Sequence, residues 1–151
     1  MRRFIFVVAL IPAALAFAAP PAVGAGVNAF TIHETIDFEN EVFTFTASDA
    51  LCPSGTFEDE VTNARAFQSE TRVNLTIETV YTCDDGSGEF YAVKHVNILF
   101  FDNFNTNSGP VKLVGGTGAY EGLAGHGDDV GRDDGETGIA TGDISGFLVH
   151  P

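Results

Sequence analysis

The sequence predicts an all-β fold of seven or eight short antiparallel strands, closed into a barrel or paired as a sandwich. Three observations carry this expectation. Apolar and polar residues alternate with a period of two through most of the chain beyond residue 25. Glycine- and aspartate-rich turn signals recur at short intervals between those runs. Helical periodicity is nearly absent there, the one long stretch of helix-friendly residues being at the N-terminus.

That N-terminal stretch reads as an export signal. Met1, Arg2 and Arg3 form a short cationic start, and Phe4 through Ala19 carry no charge. The apolar run is shorter than the roughly 20 residues that cross about 30 Å of hydrocarbon. Pro20 and Pro21 then break any helix, and Val23, Gly24 and Ala25 supply small side chains for a signal peptidase. Residues 1–25 are therefore expected to be a signal peptide cut after Ala25, with Ala18 or Ala19 as the alternative. Residues 26–151 would then form one domain in a secreted protein. Removing Arg2 and Arg3 from 7 basic residues leaves 5 against 21 acidic ones, a formal charge of −16 instead of −14. Such an excess repels nucleic-acid phosphates and anionic membranes, so neither is an expected partner once the signal is removed.

Taken in order, Phe30, Ile32, Ile36 and Phe38 share one face of a first strand, with Thr31, His33, Thr35 and Asp37 opposite. Val42–Ala47 is a second strand after the polar break Glu39–Glu41. Ser48–Gly55 is a loop holding Cys52, and Thr56–Phe67 is a third strand with a poor pattern. Thr71–Cys83 alternates most cleanly: Val73, Leu75, Ile77, Thr79 and Tyr81 against Arg72, Asn74, Thr76, Glu78 and Val80. Asp84–Gly88 is a turn, since Asp-Gly readily supplies the positive φ of a tight hairpin. Glu89–Phe101 is a long strand, apolar on both faces in its second half, which points to an outer contact such as packing in an oligomer. Asp102–Pro110 reads as a polar loop. Val111–Val114, Leu123–Val130 and Ile139–Val149 complete the set. The two cysteines, Cys52 and Cys83, are expected to pair in an oxidising compartment, closing a loop of about 30 residues worth roughly 3–4 kcal/mol.

The densest local signal is the glycine-rich stretch from Val114 to Gly127. It lacks the Gly-Lys-Ser/Thr of a phosphate loop and has Glu121 where a dinucleotide fingerprint needs glycine, so no nucleotide cofactor is implied. The glycines instead suit a hairpin with a bulge, Tyr120 and Leu123 plugging a barrel end. The pattern formed by Gly115, Gly116, Thr117, Gly118, Ala119, Tyr120, Gly122, Leu123, Gly125 and Gly127 resembles the late hairpin of the allene oxide cyclase and dirigent barrel superfamily, above all its small secreted bacterial members. The resemblance implies a closed eight-stranded antiparallel β-barrel, in which this hairpin is architectural, and a homo-oligomer, commonly a trimer in the plant families. Ile32-His33-Glu34 is similar to a His-Asp pair on the first strand of dirigent proteins. The remaining dirigent pattern and the active-site set of an allene oxide cyclase are missing, so enzyme activity is not carried over.

Among candidates for chemistry, Glu34 shares its face with Phe30, Ile32, Ile36 and Phe38. Inside a barrel it must be paired, with Arg65, Arg72 or Lys94, or have a raised pKa. His33 adjoins it in sequence. The four histidines, His33, His95, His126 and His150, lie on separate segments without ligand spacing, so no metal site is expected. Asp128, Asp129, Asp133, Asp134 and Glu136 put five carboxylates in nine residues without the ligand order of an EF-hand, and read as a solvated acidic loop. No nucleophile elbow is present. Tyr81, Tyr91 and Tyr120, with the phenylalanines, are candidates for lining a small apolar pocket. The expected function is a secreted non-catalytic barrel that binds a small apolar ligand or serves as an interaction module. The alternative is a cyclase or dirigent-type enzyme using Glu34.

Overall fold

The computed structural model describes residues 27–67 and 71–149. The export segment and His150 fall outside the described residues. Eight strands follow one another: β1 (Val27–Asp37), β2 (Val42–Ala47), β3 (Ser54–Ala66), β4 (Arg72–Cys83), β5 (Glu89–Phe100), β6 (Phe104–Gly116), β7 (Ala124–Asp134) and β8 (Ile139–Val149). Each pairs antiparallel with the next, and β8 pairs with β1 to close the barrel. The predicted closed eight-stranded antiparallel barrel is therefore the observed fold. Closure covers most of the sheet edges; the seam between β2 and β3 is the short one, pairing only Thr44–Thr46 with Ser54–Thr56.

Side-chain parity explains the packing. Alternate residues point inward, so Phe30 and Ile32 of β1, Phe45 of β2, Phe57 of β3, Tyr81 of β4 and Phe90 of β5 are all almost fully buried. Their rings fill one end of the barrel. Tyr81 stacks on Phe90 at 4.5 Å, and Phe45 meets both edge-on at 5.2 and 5.6 Å. The connection from β6 to β7 caps this end. Gly115 takes φ 117°, open to glycine but not to ordinary side chains, where the β5–β6 register shifts. The chain then makes a short 3₁₀ turn over Gly118–Tyr120, burying Tyr120 and Leu123 against the aromatic cluster as the sequence predicted. Tyr120 also shares a 3.1 Å hydrogen bond with Ser87 in the β4–β5 turn. Cys52 and Cys83 form a disulfide that ties the β2–β3 connection to the end of β4 at the same closed end.

Two sequence-based assignments are corrected. Asp102–Pro110 is not a polar loop: β6 begins at Phe104 and runs to Gly116. Its first half escaped recognition because its inward residues, Asn105, Asn107 and Gly109, are polar or small and leave no apolar alternation. The acidic run is likewise not a solvated loop. Strand β7 extends to Asp134, pairing Asp129 with Ile144 of β8 and with Gly109 of β6. Asp129 is only 3% exposed, inside the barrel.

Breaking the disulfide by Cys52→Ala/Cys83→Ala is expected to cost about 2–4 kcal/mol in urea unfolding without changing the far-ultraviolet spectrum of the folded state. An unchanged midpoint would show that the closed end is held by its aromatic packing alone.

Candidate functional site

The opposite end of the barrel is open. Ile36 and Phe43 on β1 and β2, Val61, Leu75 and Ile77 on β3 and β4, and Val96 and Ile98 on β5 wall a cavity of about 410 Å³. Phe38 and Phe100 stand at its rim, 52% and 42% exposed. Across from them, Ala140 and Gly142 of β8 and Gly131 of β7 add little bulk between the inward carboxylates Asp129 and Asp133. A volume above about 300 Å³ is in the range of small-molecule sites.

The floor of this cavity is charged. Lys94 Nζ lies 2.6 Å from Glu34 Oε1 and 3.6 Å from Asp59 Oδ1, the lysine and glutamate side chains being 3% and 6% exposed. The Tyr81 hydroxyl donates a short hydrogen bond to the same Glu34 oxygen, and Thr79 donates to Asp59 at 2.5 Å. The Lys94 ammonium also lies 5.3 and 5.7 Å above the rings of Phe57 and Tyr81, an attractive cation–π geometry. Asp129 completes the floor. Its Oδ2 accepts from Asn107 Nδ2 at 2.7 Å, while its buried Oδ1 has no hydrogen-bond partner.

These surroundings shift the ionisations in physically separable ways. Burial works against the Lys94 ammonium, but the attraction of Glu34 and Asp59 outweighs it and holds the pKa above the ordinary lysine range. Tyr81 is pushed well up, first by burial and then by the Glu34 carboxylate. Asp129 is raised to about 6, by burial first and by the charge of Glu34 second, with Lys94 and Asn107 pulling the other way.

Of the residues singled out in the sequence, Glu34 lies inside the barrel, and its partner among the three basic candidates is Lys94. Arg65 and Arg72 instead flank the Phe67 ring. His33 does not join Glu34: consecutive strand residues face opposite sides, and His33 is half-exposed on the outer wall, 2.8 Å from Asp143. Tyr81 lies beneath the cavity, Tyr91 points outward to Glu89 at 3.2 Å, and Tyr120 belongs to the closed end. The hairpin residues Gly115, Gly116, Thr117, Gly118, Gly122 and Gly125 stand away from the cavity. Among the described residues, no cluster of three or more His, Cys, Asp and Glu is placed to hold a metal ion. Lys94, Asp59, Asn107 and Asp129 were not foreseen as a cluster. Their one sequence signal is parity: each falls on the inward register once its strand is placed. No family model, curated protein or solved structure matches the chain.

Removing one member of a buried pair leaves an uncompensated charge. Lys94→Met is expected to lower stability by about 3–5 kcal/mol at pH 7, and adding Glu34→Gln should recover part of the loss. Strictly additive losses in urea would show that the two groups do not interact.

Asp129 has a folded pKa above its ordinary value of 3.8. The stability contributed by its proton is therefore full below about pH 4 and lost as pH rises through about 6. Asp129→Asn should flatten the pH dependence of the urea midpoint between pH 4 and 7. It should also raise stability at pH 7.5 by about 1–3 kcal/mol. An unchanged slope would show that Asp129 does not titrate in that window.

Proposed function

We propose that this protein is a secreted, non-catalytic barrel that holds a small apolar molecule in its open end. The observation that carries this reading is the 410 Å³ cavity, walled by aliphatic side chains and closed below by fixed polar groups. Pockets that bind small molecules combine an apolar lining with a few placed polar groups in this way. The Cys52–Cys83 disulfide suits an oxidising compartment and so supports export. The resemblance of the Gly115–Gly127 hairpin to the allene oxide cyclase and dirigent barrels supports the barrel scaffold on which this reading rests.

A second reading, a cyclase-like or stereochemical-guide enzyme, draws on Glu34 and Asp129 at the base of an apolar cavity. Binding is favoured over catalysis because Glu34 Oε1 is already committed to both Lys94 and Tyr81. That arrangement holds the carboxylate in one orientation and occupies one of its two oxygens.

Saturable binding of decan-1-ol, a neutral apolar probe, is expected by calorimetry. Ala140→Trp, which fills the cavity from β8, should weaken it by more than about tenfold while leaving the near-ultraviolet spectrum of the closed end intact. Equal binding by both proteins would place the probe elsewhere and remove the support for this reading.

A further inference from the structure

The charge of the cavity floor restricts what the open end accepts. Among the described residues that line the cavity, four carboxylates (Glu34, Asp59, Asp129 and Asp133) face a single cation, Lys94. That ammonium is already engaged by Glu34 and Asp59. Asp133 accepts from Asn105 Nδ2 at 3.0 Å, near the mouth. The negative charge left over includes that of Asp129, whose Oδ1 is buried and has no donor among the described residues.

A second, independent feature lies beside it. A Cβ added to Gly142 would sit 3.1 Å from Glu34 Oε2 and 3.3 Å from Asp129 Oδ1. Two carboxylate oxygens from strands β1 and β7 thus converge on the space left by the missing side chain on β8. Among the described residues, Asp129 Oδ1 has no donor, and the bonds to Lys94 and Tyr81 use Oε1 of Glu34 rather than Oε2.

We propose that the molecule held in this cavity carries a protonated amine at its inner end, which Glu34 Oε2 and Asp129 Oδ1 bind beside Gly142 while its apolar chain runs out between Ile98 and Phe43. The inference rests on the ligand-binding reading and names the ligand's chemical class. An ammonium offers three donors and a positive charge where the protein offers two carboxylate acceptors and a negative excess. Its own desolvation is offset because the carboxylates it neutralises are already out of water. A carboxylate-headed chain would meet like charge, and an alcohol could donate only one hydrogen. The formal charge of −14 also draws cations toward the protein at long range.

The test compares decylammonium, decan-1-ol and decanoate at pH 7.5 by calorimetry. Decylammonium is expected to bind at least about tenfold more tightly than decanol, with decanoate weakest. Asp129→Asn should remove that advantage while leaving decanol binding within about twofold. Gly142→Ala, which places a methyl group between the two oxygens, should also weaken the amine selectively. Asp128→Asn, on the outer face one residue away, should leave amine binding unchanged. Equal losses from Asp128→Asn and Asp129→Asn would mean that the amine associates with the acidic surface, overturning the inference. Equal affinities for the three probes, or a preference for decanoate, would overturn it while the apolar cavity kept its ligand-binding role. Failure of all three to bind would overturn both.

Discussion

The contact on which this barrel turns is the buried pair of Glu34 and Lys94. Strands β1 and β5 stand four positions apart in a closed ring of eight, on opposite walls. A 2.6 Å link between them therefore crosses the interior. A barrel of this size is only wide enough for packed side chains or one small ligand. The four-carbon stem of lysine supplies the reach, and Glu34 supplies an acceptor already oriented by Tyr81. Register follows from this. A slip of one residue in β1 would turn Glu34 to the outside and bring His33 in, leaving Lys94 buried without its nearest counter-charge. Such a state is penalised by far more than the pair itself contributes to stability.

The pair also divides the interior in two. On one side, Phe45, Phe57, Tyr81 and Phe90 interlock with Tyr120 and Leu123 under a disulfide, a dense core that concentrates apolar burial in half the barrel. On the other, aliphatic walls stand apart, the inner face of β8 shrinks to Ala140 and Gly142, and β7 turns Asp129 and Asp133 inward. An open half of that kind forgoes packing contacts and places carboxylates out of water, both of which cost stability. The closed half offsets that cost, much as rigid scaffolds commonly carry less stable functional ends.

What could be read from the sequence follows the same division. Strands β1, β2, β4, β5 and β8 line much of the packed core or the aliphatic wall, and their alternation marks β2, β4, β5 and β8 to within a residue at each end and β1 to within three. The Tyr120 plug was legible for a related reason: positive-φ glycines and buried rings mark a sharp, tightly packed turn. Glu34 was legible as an interior carboxylate because its neighbours at even spacing are Phe30, Ile32 and Ile36. Its partner was legible only as one of three, Arg65, Arg72 or Lys94, since Lys94 lies 60 residues away and one-dimensional alternation does not say which strands face each other across a ring.

The segments that escaped recognition, the first half of β6 and the end of β7 beyond Val130, belong to the polar wall of the cavity. The inward positions of that wall hold Asn105, Asn107, Asp129 and Asp133, interleaved with Gly109 and Gly131. A polar or absent side chain facing inward removes the hydrophobic period by which a strand is known, while leaving its backbone pairing intact. Loss of the pattern inside a segment that must still complete the ring is thus itself a mark of the site, as expected where local rules yield to function. The acidic run shows how sharply parity sorts residues of one chemistry. Asp128 and Asp129 are adjacent and identical in type, yet one is solvated on the outer wall and the other is a buried acceptor without a donor. Charge counted along the chain predicts a solvent-facing loop. Counted on each face of a strand that must close the barrel, the same charge lies in the floor of a pocket.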